Sequence, residues 1–191
     1  KLKKINSVGK ECKFASIKII NDKNKFQKVG KPGEIICKTP AIFSGYLKKP
    51  RETKLSFYNG YFKTGDLGYL DKDKHLYFIS RKKNIIIVGG INVYPEDIEK
   101  CLKKYYQIRQ CCVFGIKDQI LGEKVIAAII SSKKKINEVE LRKYCLKNLA
   151  DFQQPHTFFP VKKFPRSSLG KIKKNDLKKD FLLSVKNKRV N

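Results

Sequence analysis

Short apolar runs broken by glycine, proline and asparagine dominate the first half of the chain. Phe14 to Ile20 and Glu34 to Lys38 read as strands, separated by turn chemistry at Asn21-Asp22 and at Gly30-Lys31-Pro32-Gly33. Two further strands are predicted, Gly68 to Leu70 and Leu76 to Ile79, with Asp71-Lys72-Asp73-Lys74 turning between them. Pro50-Arg51-Glu52-Thr53, with Leu55 and Phe57, predicts one or two helical turns before an Asn59-Gly60 turn. The pattern describes a small all-β unit.

After Arg81 the pattern changes. Ile85 to Val88 is an unbroken β-branched run stopped by Gly89-Gly90, and a helix begins at Pro95 with Glu96 and Asp97 in its first turn. Ile98, Leu102 and Tyr105 or Tyr106 recur at helical spacing, and strands follow at Cys111 to Ile116 and Val125 to Ile130. A second helix is expected after Asn137 as N-cap, with Glu140 as its capping-box partner and Val139, Leu146 and Leu149 on its apolar face. A strand over Thr157 to Lys163 and a helix over Asn175 to Leu183 complete an α+β unit. The expected organisation is a β-barrel-like part over 1–80, a hinge at 81–84, a compact α+β domain over 85–185, and a polar, frayed tail over 186–191.

Composition narrows the class. The 191 residues, 41% of them apolar, suffice for two small cores, and no run of 18 apolar residues exists to span a bilayer. Lys and Arg number 44 against 17 acidic residues, a formal charge of +27. Such a balance points to anionic partners when it is concentrated on one face and interleaved with aromatics. Here the lysines occur in doublets in nearly every loop, which reads as solvated faces. No specific nucleic acid is expected, and an anionic membrane surface stays open as a partner.

The six cysteines show no C-x-x-C pair and no metal-like spacing with His75 or His156, so no metal site is predicted and the thiols read as free, mostly at apolar positions. Neither histidine has an evident partner. Free thiols fit a cytoplasmic location, or a peripheral one on a membrane facing a reducing compartment. Methionine is absent, including at position 1, so the chain reads as a piece of a longer polypeptide whose targeting signal is not visible.

Two distant stretches carry the candidate chemistry: Tyr61-Phe62-Lys63-Thr64-Gly65-Asp66 leading to Arg81, and Pro165-Arg166-Ser167-Ser168-Leu169-Gly170-Lys171. A turn presenting a carboxylate, a later arginine, and a lysine on a glycine loop form a nucleotide and carboxylate clamp. Singly, each of these reads as a turn, a surface cation or a loop. Their order is what carries the signal.

Those stretches, with Gly45-Tyr46-Leu47, Arg81-Lys82-Lys83-Asn84 and the segment Gly89 to Glu99, resemble in register the later motifs of the adenylate-forming (AMP-binding) enzymes. The resemblance covers about residues 8 to 180. It implies the C-terminal portion of an acyl-CoA synthetase, for fatty acids by general similarity of Ile85 to Glu99. The implied reaction takes ATP, a carboxylic acid and coenzyme A to acyl-CoA, AMP and diphosphate through an acyl-adenylate. It implies that Asp66 and Arg81 hold the ribose, that Lys171 is the catalytic residue of adenylation, that Asn84 is the hinge of a swinging small domain, and that Gly89 and Gly90 line the coenzyme A path. Many members carry an acidic residue or lysine where Asn84 stands, and luciferase-like members carry a lysine where Ile87 stands. That second difference weakens a luciferase-like reading.

The family's phosphate loop and acyl pocket have no counterpart in residues 1–191. The chain is therefore not expected to adenylate alone, and the N-terminal domain of the same polypeptide is its expected partner and the main holder of ATP and Mg2+. Two alternatives stay open at this level. One is a fatty acyl-AMP ligase or peptide-synthetase adenylation domain that loads a carrier protein. The other is a non-catalytic basic module on anionic membrane or nucleic acid.

Overall fold

A computed structural model describes residues 4, 6–132 and 136–190, apart from the side chains of 188–190. It divides into two compact units, Lys1–Lys83 and Asn84–Asn191. Each has its own sheet, and the class is α+β.

The first unit is built from β1 (Ser16–Ile20), β2 (Gly33–Lys38), the short helix α1 (Pro50–Leu55), β3 (Phe57–Tyr58), β4 (Tyr61–Leu70) and β5 (Leu76–Arg81). Every pairing is antiparallel, in the order β1-β2-β4-β3 with β5 also on β4. Among the described strands none joins β1 to β5, so the barrel-like sheet is an open half-barrel. Ile19, Ile35 and Leu76 form its core, with Ile17 and Leu70 packed against them.

β4 corrects the sequence reading, which starts a strand only at Gly68. Thr64-Gly65-Asp66 lies inside the strand and is not a turn. Gly65 has φ +71°, and the register against β2 shifts between Glu34 and Ile36, so the segment is a bulge that bends the strand without ending it. Added at Gly65, a Cβ would meet nothing within 4 Å, so the backbone angle and not space demands glycine there.

Gly68 is the opposite case. A Cβ at that position would sit 2.4 Å from the Tyr77 carbonyl oxygen on β5 and 2.8 Å from Ile35 Cδ1. Gly68→Ala therefore pushes β4 and β5 apart next to the Asp66 position. We expect a loss of about 1–3 kcal/mol in unfolding free energy, the usual cost of overpacking, read by urea denaturation.

The second unit contains β6 (Ile86–Val88), β7 (Ile91–Val93), α2 (Pro95–Leu102), β8 (Ile108–Asp118), β9 (Gly122–Ser131), α3 (Glu138–Asn148), β10 (Thr157–Pro160) and α4 (Lys174–Val190). β9 is central, antiparallel to β8 and β6 and parallel to β10. Alternation along β8 and β9 feeds two cores. Cys111, Val113, Val125 and Ala127 pack with Ile98 and Leu102 of α2 and Leu141 and Cys145 of α3, while Cys112, Phe114, Ile126 and Ala128 pack with Leu177 and Phe181 of α4.

Two expectations fail in this unit. Val139 and Leu146 of α3 are each 63% exposed, and Leu141 and Cys145, spaced i and i+4, form the buried stripe with Tyr144 and Leu149 partly buried beside it. The last helix also ends later than expected, since α4 runs from Lys174 to Val190 and not only to Leu183; Asn191 lies outside the described residues. The N-cap stands, with Asn137 Oδ1 accepting from the Glu140 amide at 3.3 Å.

All six cysteines are free; Cys12 is exposed and Cys111, Cys112 and Cys145 are buried. Burial pushes the Cys111 and Cys145 thiols up to about 12 and the Cys112 thiol up to about 11, so at neutral pH they are protonated, inert core residues. Among the described residues no helix is long and apolar enough to cross a membrane.

Candidate functional site

The β4–β5 hairpin brings Asp66 and Arg81 together. They are direct cross-strand partners, so their side chains leave the same face, and Arg81 Nε lies 2.7 Å from Asp66 Oδ1. That contact is an ion pair without hydrogen-bond alignment: the buried Oδ1 accepts no directed hydrogen bond. Oδ1 is closed off by this contact, so the acceptor that the carboxylate can offer a ligand hydroxyl is its second oxygen, Oδ2, on a side chain 26% exposed.

The bulge fixes where this carboxylate points. Thr64 Oγ1 donates to the Ile35 carbonyl at 2.7 Å and accepts from the Asp66 amide at 3.1 Å, locking both sides of Gly65. Glu34 Oε1 accepts from the Gly65 amide at 3.3 Å, and Glu34 Oε2 lies 3.3 Å from Lys82 Nζ. Glu34 escapes sequence reasoning because it is brought to the bulge only by the β2–β4 pairing.

Asn84 closes the 3-10 turn Lys82–Asn84, half-buried and without a left-handed backbone. Gly89 and Gly90 form the two-residue turn of the β6–β7 hairpin, with φ +56° and +82°. Positive φ at both central positions defines a type I′ turn, which accounts for the glycine pair by conformation alone. The Gly89 amide donates to the Leu121 carbonyl at 2.8 Å, tying this turn to the β8–β9 tip. The space above both glycines is open.

Lys171 belongs to the second unit and sits in a narrow loop between β10 and α4. The Ser167 amide donates to the Lys171 carbonyl at 2.8 Å, the Gly170 amide to the Ser167 carbonyl at 2.9 Å, and the Lys173 amide to the Pro165 carbonyl at 2.8 Å. Gly170 has φ +77°, Leu169 is 83% exposed, and Lys171 is exposed. Among the described residues no carboxylate lies within ion-pair distance of Lys171, so its ammonium is available to an external anion.

His75, read as partnerless, has a neighbour: its Nδ1 lies 3.6 Å from Asp71 Oδ1, and Asp71, Asp73 and His75 cluster at one turn. Lys4 Nζ occupies this cluster at 2.5 Å from Asp71 and 2.6 Å from Asp73. Their hydrogen bonds to Lys4 hold both carboxyls below the usual carboxylate range. An ammonium filling the space between the carboxylates does not fit a Mg2+ site, and no other such cluster occurs among the described residues.

Asp66 and Arg81, on a β-bulge and its partner strand, belong to the first unit, and Lys171, without a carboxylate counter-ion among the described residues, belongs to the second. Residues 97–171 match the AMP-binding enzyme C-terminal domain family. Those residues are a C-terminal domain of the AMP-binding enzymes. The chain is 38% identical to 2-succinylbenzoate--CoA ligase of Listeria monocytogenes serotype 4b over 93% of this chain and 36% of that one. It is 30% identical to long-chain-fatty-acid--CoA ligase FadD13 of Mycobacterium tuberculosis over 96% of this chain and 36% of that one. Among solved structures, o-succinylbenzoate CoA synthetase of Bacillus subtilis, in complex with the acyl-adenylate OSB-AMP, superposes with a TM-score of 0.84 at 34% identity, over 92% of this chain and 36% of that one. The chain thus spans about a third of the length of these adenylate-forming relatives.

Proposed function

We propose that this chain supplies the ribose clamp and the mobile lysine-bearing domain of an AMP-forming acyl-CoA synthetase. In the first step a carboxylate oxygen attacks the α-phosphorus of ATP and the bond to diphosphate breaks. In the second, the thiol of coenzyme A attacks the acyl carbon and AMP leaves. What carries this reading is an arginine-held Asp66 carboxylate in the first unit and, in the second, a Lys171 with no carboxylate within ion-pair distance among the described residues, on a chain similar to two acid–CoA ligases.

Asp66 accepts from the ribose hydroxyls and Arg81 steadies it. Lys171 draws the acid carboxylate and the α-phosphate together, where a compact ammonium offsets like charges brought into contact. Asn84 lies where the two units divide and is the hinge; the Gly89-Gly90 turn lines the coenzyme A path once the second unit rotates. Mg2+ is carried with the ATP phosphates and draws no ligand from the described carboxylate cluster.

The acid is an aromatic or aliphatic carboxylate, with 2-succinylbenzoate and long-chain fatty acids as the two leading candidates from the similar ligases. Product analysis on the full-length protein tests the proposal, with ATP, Mg2+, coenzyme A and either acid. Acyl-CoA, AMP and diphosphate in equal amounts are expected. Adenylate accumulating in the presence of coenzyme A, and discharged only onto a carrier-protein thiol, would replace this reading with a carrier-loading ligase.

A further inference from the structure

We propose that Arg166, anchored by Gln110, is a positioning residue that sets the direction in which Lys171 leaves its loop. The inference rests on the reading of Lys171 as the adenylation lysine and adds a part that reading does not contain.

The loop backbone closes its own neck. Arg166 pairs with Ile172 as a β-bridge, and the hydrogen bonds across Pro165, Ser167, Lys171 and Lys173 fix both strands of the turn. None of these bonds uses the Gly170 carbonyl or the Lys171 amide, so they leave the Gly170–Lys171 peptide plane unheld, next to a glycine in the left-handed region at φ +77°. A peptide next to such a glycine rotates freely unless one of its polar groups is held.

The holding group is the Arg166 guanidinium. Its Nη1 donates to the Gly170 carbonyl at 2.7 Å and its Nη2 to Gln110 Oε1 at 2.9 Å. Peptide planarity makes that carbonyl and the Lys171 nitrogen one rigid unit, so fixing the oxygen fixes the Cα of Lys171 and its side-chain exit. Gln110 stands on β8, whose pairing with β9 crosses the middle of the unit. The strap therefore refers the orientation of a surface loop to the core sheet.

Geometry also says why arginine is needed. Two acceptors on different elements are reached by two nitrogens of one planar fork, whereas a lysine ammonium is a single centre at the end of a flexible stem. Both Arg166 and Gln110 are exposed, so their removal leaves the folded core intact. The effect is on where Lys171 points.

The test compares Arg166→Ala, Arg166→Lys, Gln110→Ala and Lys171→Ala in the full-length protein. The adenylation half-reaction is followed by acid-dependent ATP–diphosphate exchange, and the thioester half-reaction by adding coenzyme A to preformed acyl-adenylate. A misdirected catalytic group commonly costs on the order of 10- to 100-fold, so Arg166→Ala is expected to lower kcat of adenylation by about 10-fold or more. The KM for ATP, the thioester step and the melting temperature should stay near wild type.

Arg166→Lys should recover less than half of the lost rate, and Gln110→Ala added to Arg166→Ala should cost nothing further. Equal losses in both half-reactions, or a lowered melting temperature that accounts for them, would show Arg166 to be merely structural and overturn the inference. So would an Arg166→Ala enzyme of full adenylation rate beside an inactive Lys171→Ala. If Lys171→Ala itself adenylates normally, the reading of Lys171 falls and this inference falls with it.

Discussion

Replacing Lys171 by alanine in the full-length enzyme lowers the acid-dependent adenylation rate by about 10²–10³-fold, the usual loss when one preorganised donor to developing charge is removed. Coenzyme A should still convert preformed acyl-adenylate at close to the wild-type rate, since Lys171 is assigned to the first step alone. The fold has no stake in this side chain. It is exposed, and among the described residues it has no carboxylate partner, so unfolding free energy should change by less than about 0.5 kcal/mol. Stopped-flow adenylate formation and a urea titration of the same variant check both halves of this expectation.

Asp66→Asn gives the second large effect. It keeps the shape and removes the charge that makes the group acceptor-only, so one amide edge now presents donors to hydroxyls that also need to donate. A hydrogen bond to a charged group is worth about 1.5–3 kcal/mol, which converts to roughly a 10- to 100-fold rise in KM for ATP. The Asp66–Arg81 pair is half open to solvent on the arginine side, and pairs of that kind contribute about 0–1 kcal/mol to stability. Asp66→Asn thus separates from Gly68→Ala two positions away: the first loses nucleotide affinity on an intact fold, the second loses fold. Titration of ATP into the Asn variant by calorimetry, beside its urea curve, measures the difference.

The ordered motifs made the family resemblance legible before any contact was known, because glycine, charge and turn chemistry recur at fixed positions along the chain. Local conformation was less legible. Thr64-Gly65-Asp66 reads as a turn since its composition is that of a turn; only the β2 and β5 pairings convert it into a bulge within a ten-residue strand. On α3, the aliphatic residues Val139 and Leu146 drew the apolar face to the wrong side. Cys145 was the missed signal, a small hydrophobe that packs as core beside Leu141.

What sequence could not convey is contact across distance. Glu34 reaches the Gly65 amide through strand pairing, Lys4 fills the Asp71–Asp73 cluster from the other end of the unit, and Gln110 meets Arg166 across much of the second unit. The glycine pair shows the reverse lesson. Gly89-Gly90 reads as lining for the coenzyme A path, yet a type I′ hairpin by itself favours glycine at both positions, so the identity of the pair does not assign it that role.

The central claim is that the acid attacks the α-phosphorus of ATP. Oxygen tracing measures this directly: the full-length enzyme is supplied with acid labelled with 18O in both carboxylate oxygens, together with ATP, Mg2+ and coenzyme A, and the nucleotide product is analysed by mass. Attack at the α-phosphorus leaves one labelled oxygen in AMP and one in the thioester carbonyl. Unlabelled nucleotide, with label instead in inorganic phosphate alongside ADP, would mean attack at the γ-phosphorus and would contradict the account.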